Sequence, residues 1–224
     1  QMKITNKTHF LLATSAIVGV AAFSATPAFA QVEDATAPGV ALTTTPIVDT
    51  NDGGKDLVLT SASEKIEVTQ GTVTLGDSGT PGTPAITSNS GEETTLTLDN
   101  TGTTGTTNPV VTVDGNVQYD GSNPLNLSIA NVVGGETLTV NVNENVDLGA
   151  GTIGVTADAD ATDLTVTGTT DAGDVTVTGA AGAASATFTG EANTGDVTVT
   201  NNASASFAGV ANTGAISVAG GSGG

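Results

Sequence analysis

Three consecutive stretches of this chain repeat one pattern, and few folds tolerate that. They are Leu164–Ser185, Ala186–Ser204 and Ala205–Gly224. Laid in register, Val166, Phe188 and Phe207 coincide, as do Gly168, Gly190 and Gly209. So do Asp171, Asn193 and Asn212, and then Gly173, Gly195 and Gly214. The pairs Val175/Val177, Val197/Val199 and Ile216/Val218 align as well, at spacings of 22 and then 19 residues. The difference in length is confined to the small residues Gly179–Ser185. A weaker copy lies 22 residues upstream, at Ile153 and Val155. A fixed period of this size signals an array of stacked units rather than a single folded core.

Within each unit the residues alternate apolar and polar, rich in threonine and valine. Period-two alternation is a strand with one buried and one wet face, and both residue types favour pleated backbone. Between the runs, an Asn or Asp followed by Gly is expected to supply the positive backbone angles of a tight corner. No window shows helical periodicity, so the fold class is all-β. The favoured architecture is a β-solenoid (parallel β-helix-like), with 19–22-residue coils in the C-terminal half. Equivalent residues then stack about 4.8 Å apart. Phe188 and Phe207 should touch inside it, with Val166 next in the column. A hairpin meander or β-sandwich is the alternative.

Upstream, the sequence divides less cleanly. Residues 1–30 read as a secretory signal peptide, with Gln1 lying ahead of the natural start Met2. Lys3 and Lys7 precede the apolar run Phe10–Ala22, and Ala28 and Ala30 form a small-residue cleavage site. Residues 31–56 read as a flexible acidic segment, 57–135 as an irregular β-rich region, and 136–224 as the repeat array. The irregular region is either the same array with degenerate coils or a separate cap. The array itself is expected to be truncated.

Composition narrows the chemistry. After residue 30, Lys55 and Lys65 face 23 Asp and Glu, a net charge of −21, with no Arg, His, Cys or Trp. Such a surface repels nucleic acid. Transition-metal sites built on His or Cys have no ligands, and Ser-His-Asp or Cys-His catalysis has no base. No enzyme activity is expected. No transmembrane segment is expected in the mature chain either.

What remains is carboxylates. Asp158, Asp160 and Asp163 cluster, and in a solenoid Asp174 and Asp196 become vertical neighbours with Asp171 near the same corner. Like charges at strand spacing repel, so screening or a bridging cation must answer them. These six aspartates are therefore the candidate calcium ligands, since calcium favours oxygen donors. Asn193 and Asn212 are expected to form a side-chain ladder.

The stretch Asn193–Thr200 (NTGDVTVT), set over Asn212–Ala219 (NTGAISVA) and preceded by a secretory leader, resembles the passenger regions of autotransporters and filamentous-haemagglutinin-like adhesins. The cysteine-free, acidic composition is also similar to that of bacterial surface-layer (S-layer) proteins. The resemblance covers Glu136–Gly224 by repeat style and the rest by composition. It implies export to a bacterial cell surface, at the outer membrane, and a structural or adhesive role. The partners implied are cell-surface or matrix components, or self-assembly. One feature departs from the family. Autotransporters end in a membrane barrel with aromatic girdles, whereas this sequence ends in AGGSGG within the array. Two rival functions stand beside this one. One is a secreted calcium-dependent binding module. The other is a carbohydrate-active enzyme on a β-helix, with Asp171, Asp174 and Asp196 as its acids.

Overall fold

Alternating threonine and aliphatic residues become strand throughout. The structure, a computed structural model, describes residues 40–42, 57–59, 62–68, 72–76, 84–88, 91–100 and 108–220. The leader expected at 1–30, and the segment 31–56 apart from 40–42, lie outside the described residues. The first strands are β1 (Val40–Leu42), β2 (Leu57–Leu59), β3 (Ser63–Val68), β4 (Thr72–Leu75) and β5 (Pro84–Ser88). Next come β6 (Thr94–Asp99), β7 (Val110–Val113), β8 (Asn116–Gln118), β9 (Leu125–Asn131), β10 (Leu138–Val142) and β11 (Val146–Asp147). They are followed by β12 (Ile153–Ala157), β13 (Thr162–Val166), β14 (Thr170–Asp171), β15 (Val175–Phe188) and β16 (Ala192–Asn193). The chain continues through β17 (Val197–Phe207), β18 (Ala211–Asn212) and β19 (Ile216–Ala219).

These strands form curled parallel sheets. β9, β10 and β11 pair in parallel with β12, β13 and β14 respectively, and β14 pairs on with β16. β15 is long enough to bend, pairing β12 with its first half and β13 with its second. That bend joins two arms into one 12-stranded sheet, while the short strands β2, β5, β8, β11, β14, β16 and β18 make a second. Three strand segments thus make a tier, and each tier lies in register on the next. The antiparallel pairing that a hairpin meander requires occurs, among the described residues, only between β1 and β3.

The same sheets run through residue 135 without a break, because β6 pairs with β9 and β9 with β12. What changes along the chain is tier length. Ser63 pairs with Thr95, Leu127 with Ile153, and Val197 with Ile216, each step shorter than the one before. The last shortening falls at the bend. There Gly179 pairs with Asn201 and Ala184 with Ala203, so three residues drop out of the corner. Asn201 takes a φ of 60° in this shortened corner, a left-handed conformation that asparagine adopts more readily than most residues.

The core narrows with the tiers. One inward column runs Leu57, Ile86, Val117, Val146, Thr170, Ala192 and Ala211. Another descends from Val140 through Leu164 to Ala186 and Ala205. The third widens only at its end: Leu75, Val113, Val142 and Val166 give way to Phe188 and Phe207. Phe188 is fully buried and stacks on Phe207, with ring centroids 5.1 Å apart and planes at 13°. Along the second half of β15 and on β16 the other buried inward residues, Ala184, Ala186 and Ala192, are small, while Val175 and Val177 line the first half of β15.

The repeat glycines do a different job from the expected one. Positive φ occurs at Gly76, Gly91, Gly121, Gly135 and Gly149, and at none of Gly168, Gly173, Gly190, Gly195, Gly209 or Gly214. Instead, a Cβ on Gly190 would run into the Gly168 carbonyl, and one on Gly209 into the Gly190 carbonyl. These residues are glycine because neighbouring tiers approach too closely for a side chain.

Polar groups inside the stack are joined between tiers. Asn100 and Asn131 are buried, and Asn100 Nδ2 donates to Asn131 Oδ1 at 2.7 Å. Asn131 Nδ2 in turn donates to the carbonyls of Glu136 at 2.6 Å and Ala161 at 2.7 Å. Lys65, one of four lysines in the chain, pairs with the buried carboxylate of Asp99 at 2.7 Å.

Candidate functional site

Parallel strands end at corners, and at corners the ladder leaves amides without a strand partner. Asn and Asp side chains are short acceptors suited to such groups. Here they reach the next tier. Just ahead of β12, the Thr152 amide donates to Asn126 Oδ1 at 2.8 Å. At the same corner two and three tiers on, the Asp196 amide donates to Asp174 Oδ1, and the Ala215 amide to Asp196 Oδ1, each at 2.8 Å. Ahead of β11 and β14 the pattern recurs. The Asn145 amide donates to Asn116 Oδ1 at 3.2 Å and the Thr169 amide to Asn145 Oδ1 at 2.8 Å. Ahead of β10, the Thr137 amide donates to Asn108 Oδ1 at 2.9 Å. Glycine completes the arrangement, since a Cβ on Gly195 would meet Asp174 Oδ1 and one on Gly214 would meet Asp196 Oδ1.

The six expected aspartates divide between these columns and the outer faces. Asp174 and Asp196 are vertical neighbours, exposed on one corner. Asp171 is exposed on β14, in register with Asp147 below and Asn193 above. Asp158 and Asp160 lie in the turn between β12 and β13, where Asp160 Oδ2 accepts the Gly135 amide at 2.8 Å. Asp163 stands on the outer face of β13, its Oδ1 accepting the Ser185 hydroxyl at 2.5 Å. Among the described residues, no group of three or more His, Cys, Asp or Glu is placed to hold a metal ion. The Asn193–Asn212 ladder forms as expected, with Asn212 Nδ2 donating to Asn193 Oδ1 at 2.9 Å.

Several polar features carry little sequence signal. Glu136, two residues ahead of β10, is buried, with neither carboxylate oxygen hydrogen-bonded among the described residues. The buried alternation Glu136, Leu138, Val140 shows this only in retrospect. Asp120 closes its own turn. The backbone amides of Asn123 and Ser122, at 2.8 and 2.7 Å, hold its carboxyl below the usual range. That depression favours the folded turn above the ordinary aspartate pKa, an advantage lost as pH falls through the lowered value.

Chemically, the corners offer stacked acceptors that knit tiers together while facing water. Because Asp196 contributes both an acceptor and a charge, two substitutions separate the roles. Asp196→Asn keeps Oδ1 and removes repulsion with Asp174, so thermal unfolding in low salt should move to higher temperature. Asp196→Ala strips the Ala215 amide of its partner and should cost about 0.5–1.5 kcal/mol, read from denaturant midpoints. If both variants melt alike, the column carries no stability.

Among the described residues, no helix is long and apolar enough to cross a membrane. The chain matches no protein-family model, no curated protein and no solved structure.

Proposed function

We propose that this chain is a β-solenoid that serves as an exported structural or adhesive element of a bacterial cell surface. The observation that carries the reading is the in-register parallel stacking of tiers whose corner side chains bond to the tier above. A polypeptide organised this way is extended by adding tiers, and contacts fall between neighbours only. That suits a spacer or display surface. The strongly acidic exterior, 23 Asp and Glu against four Lys and Arg over the whole chain, keeps such a rod soluble and away from other anionic surfaces. The leader at 1–30 supplies the route out of the cell.

Treating intact cells that express the full chain with an impermeant amine- or carboxyl-reactive label tests this reading. Labelled protein whose N-terminus is Gln31 is the expected result. Unlabelled protein retaining Lys3 inside the cell would overturn it. Hydrolysis of a polysaccharide panel by purified protein would favour the carbohydrate-active alternative instead.

A calcium-dependent binding module is the second reading, favoured by the stacking of Asp174 under Asp196. It requires that calcium raise the melting temperature beyond ionic-strength-matched sodium, and that Asp196→Asn abolish the difference.

A further inference from the structure

Two Asn-X-Ser sequences lie among the described residues, Asn126–Ser128 and Asn202–Ser204. The middle residues, Leu127 and Ala203, are not proline, so both match the pattern at which an asparagine amide accepts a sugar. Such a short motif decides nothing by itself. The fold treats the two copies in opposite ways.

Asn126 is spent on holding tiers together. It is half-buried on β9, where its Nδ2 donates to Glu93 Oε1 at 2.7 Å and to Thr95 Oγ1 at 3.4 Å. Its Oδ1 accepts both the amide and the hydroxyl of Thr152, at 2.8 and 3.1 Å. A transferase would have to break contacts among three tiers to reach this amide.

Asn202 stands clear of the stack. The ladder between β15 and β17 passes from Gly179–Asn201 to Ala184–Ala203 and leaves Asn202 out of the pairing, beside Asn201 with its φ of 60°. Asn202 is exposed, and no described residue hydrogen-bonds its side chain. Alternation along this part of β17 leaves Asn202, Ser204 and Ser206 exposed and Ala203, Ala205 and Phe207 half-buried. The acceptor amide and the Ser204 hydroxyl that the pattern requires therefore leave the strand on the same side. Exposure is a property of this corner. In the tier below, Ala180, Ala181 and Ala183 are exposed although β17 lies over that tier.

We propose that Asn202 is an N-glycosylation site and that Asn126 is not. Asn202 Nδ2 forms a bond to the anomeric carbon of a sugar carried on a diphosphate. The bond from that carbon to the diphosphate oxygen breaks, and the diphosphate leaves with the electron pair. The amide proton passes to a base of the transferase, and no oxidant or reductant enters. A glycan placed here extends from the corner into water, and the tiers need no rearrangement to carry it. The inference does not depend on the surface role proposed above.

Chain isolated from its native cells, cleaved at acidic residues and mapped by mass spectrometry, is the test. Asp and Glu residues stand between the two sequences, so cleavage separates them. A sugar mass on the fragment holding Asn202 is expected. Occupancy of Asn126 should be at least about tenfold lower, because its amide is bound to a carboxylate. A single hexose identifies a nucleoside-diphosphate donor, and a preassembled oligosaccharide identifies a lipid-diphosphate donor. Asn202→Gln and Ser204→Ala should each abolish the mass and Ser204→Thr should keep it, all three with unchanged circular dichroism. An unmodified Asn202 overturns the proposal. So does occupancy of Asn126 equal to that of Asn202, or a mass that survives Asn202→Gln.

Discussion

Truncation of Phe188 to alanine is expected to cost about 3–5 kcal/mol, the largest loss from any single side chain in the array. The ring is fully buried, stacks on Phe207 at 5.1 Å and sits among Ala184, Ala186 and Ala192. Alanine neighbours have no side-chain length with which to refill the space, so the cavity persists and its full cost is felt. The stacked pair adds about 0.5–1.5 kcal/mol beyond its buried area. Thr187→Ala changes only the half-buried outer face of the same strand and should stay within about 0.5 kcal/mol of wild type. Phe207→Ala should fall between the two, because that ring is only partly buried. Chemical denaturation of the three variants orders them. Equal midpoints for Phe188→Ala and Thr187→Ala would refute the inward placement of the ring.

Gly190→Ala should be comparably damaging, although it adds a single methyl group. Its Cβ would be driven into the Gly168 carbonyl, and the backbone on both sides is held between tiers, the Thr189 amide donating to the Val166 carbonyl and the Ala192 amide to the Val210 carbonyl. Overpacking typically costs about 1–3 kcal/mol where side chains can give way. Here backbone must move, so the upper end or beyond is expected. The contrasting substitution is Gly154→Ala. It lies mid-strand on β12, where a Cβ meets nothing within 4 Å, and strand propensity favours alanine there. Melting temperatures should separate the two variants in opposite directions from wild type. If Gly190→Ala is neutral, the tiers are not packed as closely as the structure has them.

The contrast also shows where sequence reasoning runs out. The register of Val175, Val197 and Ile216 and the meeting of Phe188 with Phe207 were legible, because the last tiers are so nearly equal in length that their pattern aligns to the eye. The upstream tiers were not. Their strands pair across longer and less even intervals, as from Ser63 to Thr95 and from Leu127 to Ile153. Unequal corners blur a period without disturbing the stack. The glycines were misread because a glycine letter encodes two different physical needs, positive φ and a missing Cβ. Only the carbonyl of the next tier distinguishes them. A third strand, β14, β16 and β18, occupies the Asp/Asn–Gly corner where only a turn was expected. Two residues are too few to show alternation. The stacking of Asp174 and Asp196 followed from the repeat. The acceptor roles of Asn116, Asn126 and Asn145 did not, since each is defined by an amide one tier away, and tier length varies.

The taper from long tiers at β3 to short ones at β19 bears on the order in which the chain acquires structure. Closing a loop of n residues costs entropy that grows as about 1.5RT ln n, so each late tier closes for about 0.5 kcal/mol less than the first. Late tiers also start from shorter corners with less chain to search. Nucleation at Ile153–Val199, followed by zippering back toward β3, therefore faces the lower barrier. Synthesis delivers the opposite end first. The segment that emerges earliest is thus the slowest to close by itself, and it stays extended until the shorter turns behind it have arrived to template it.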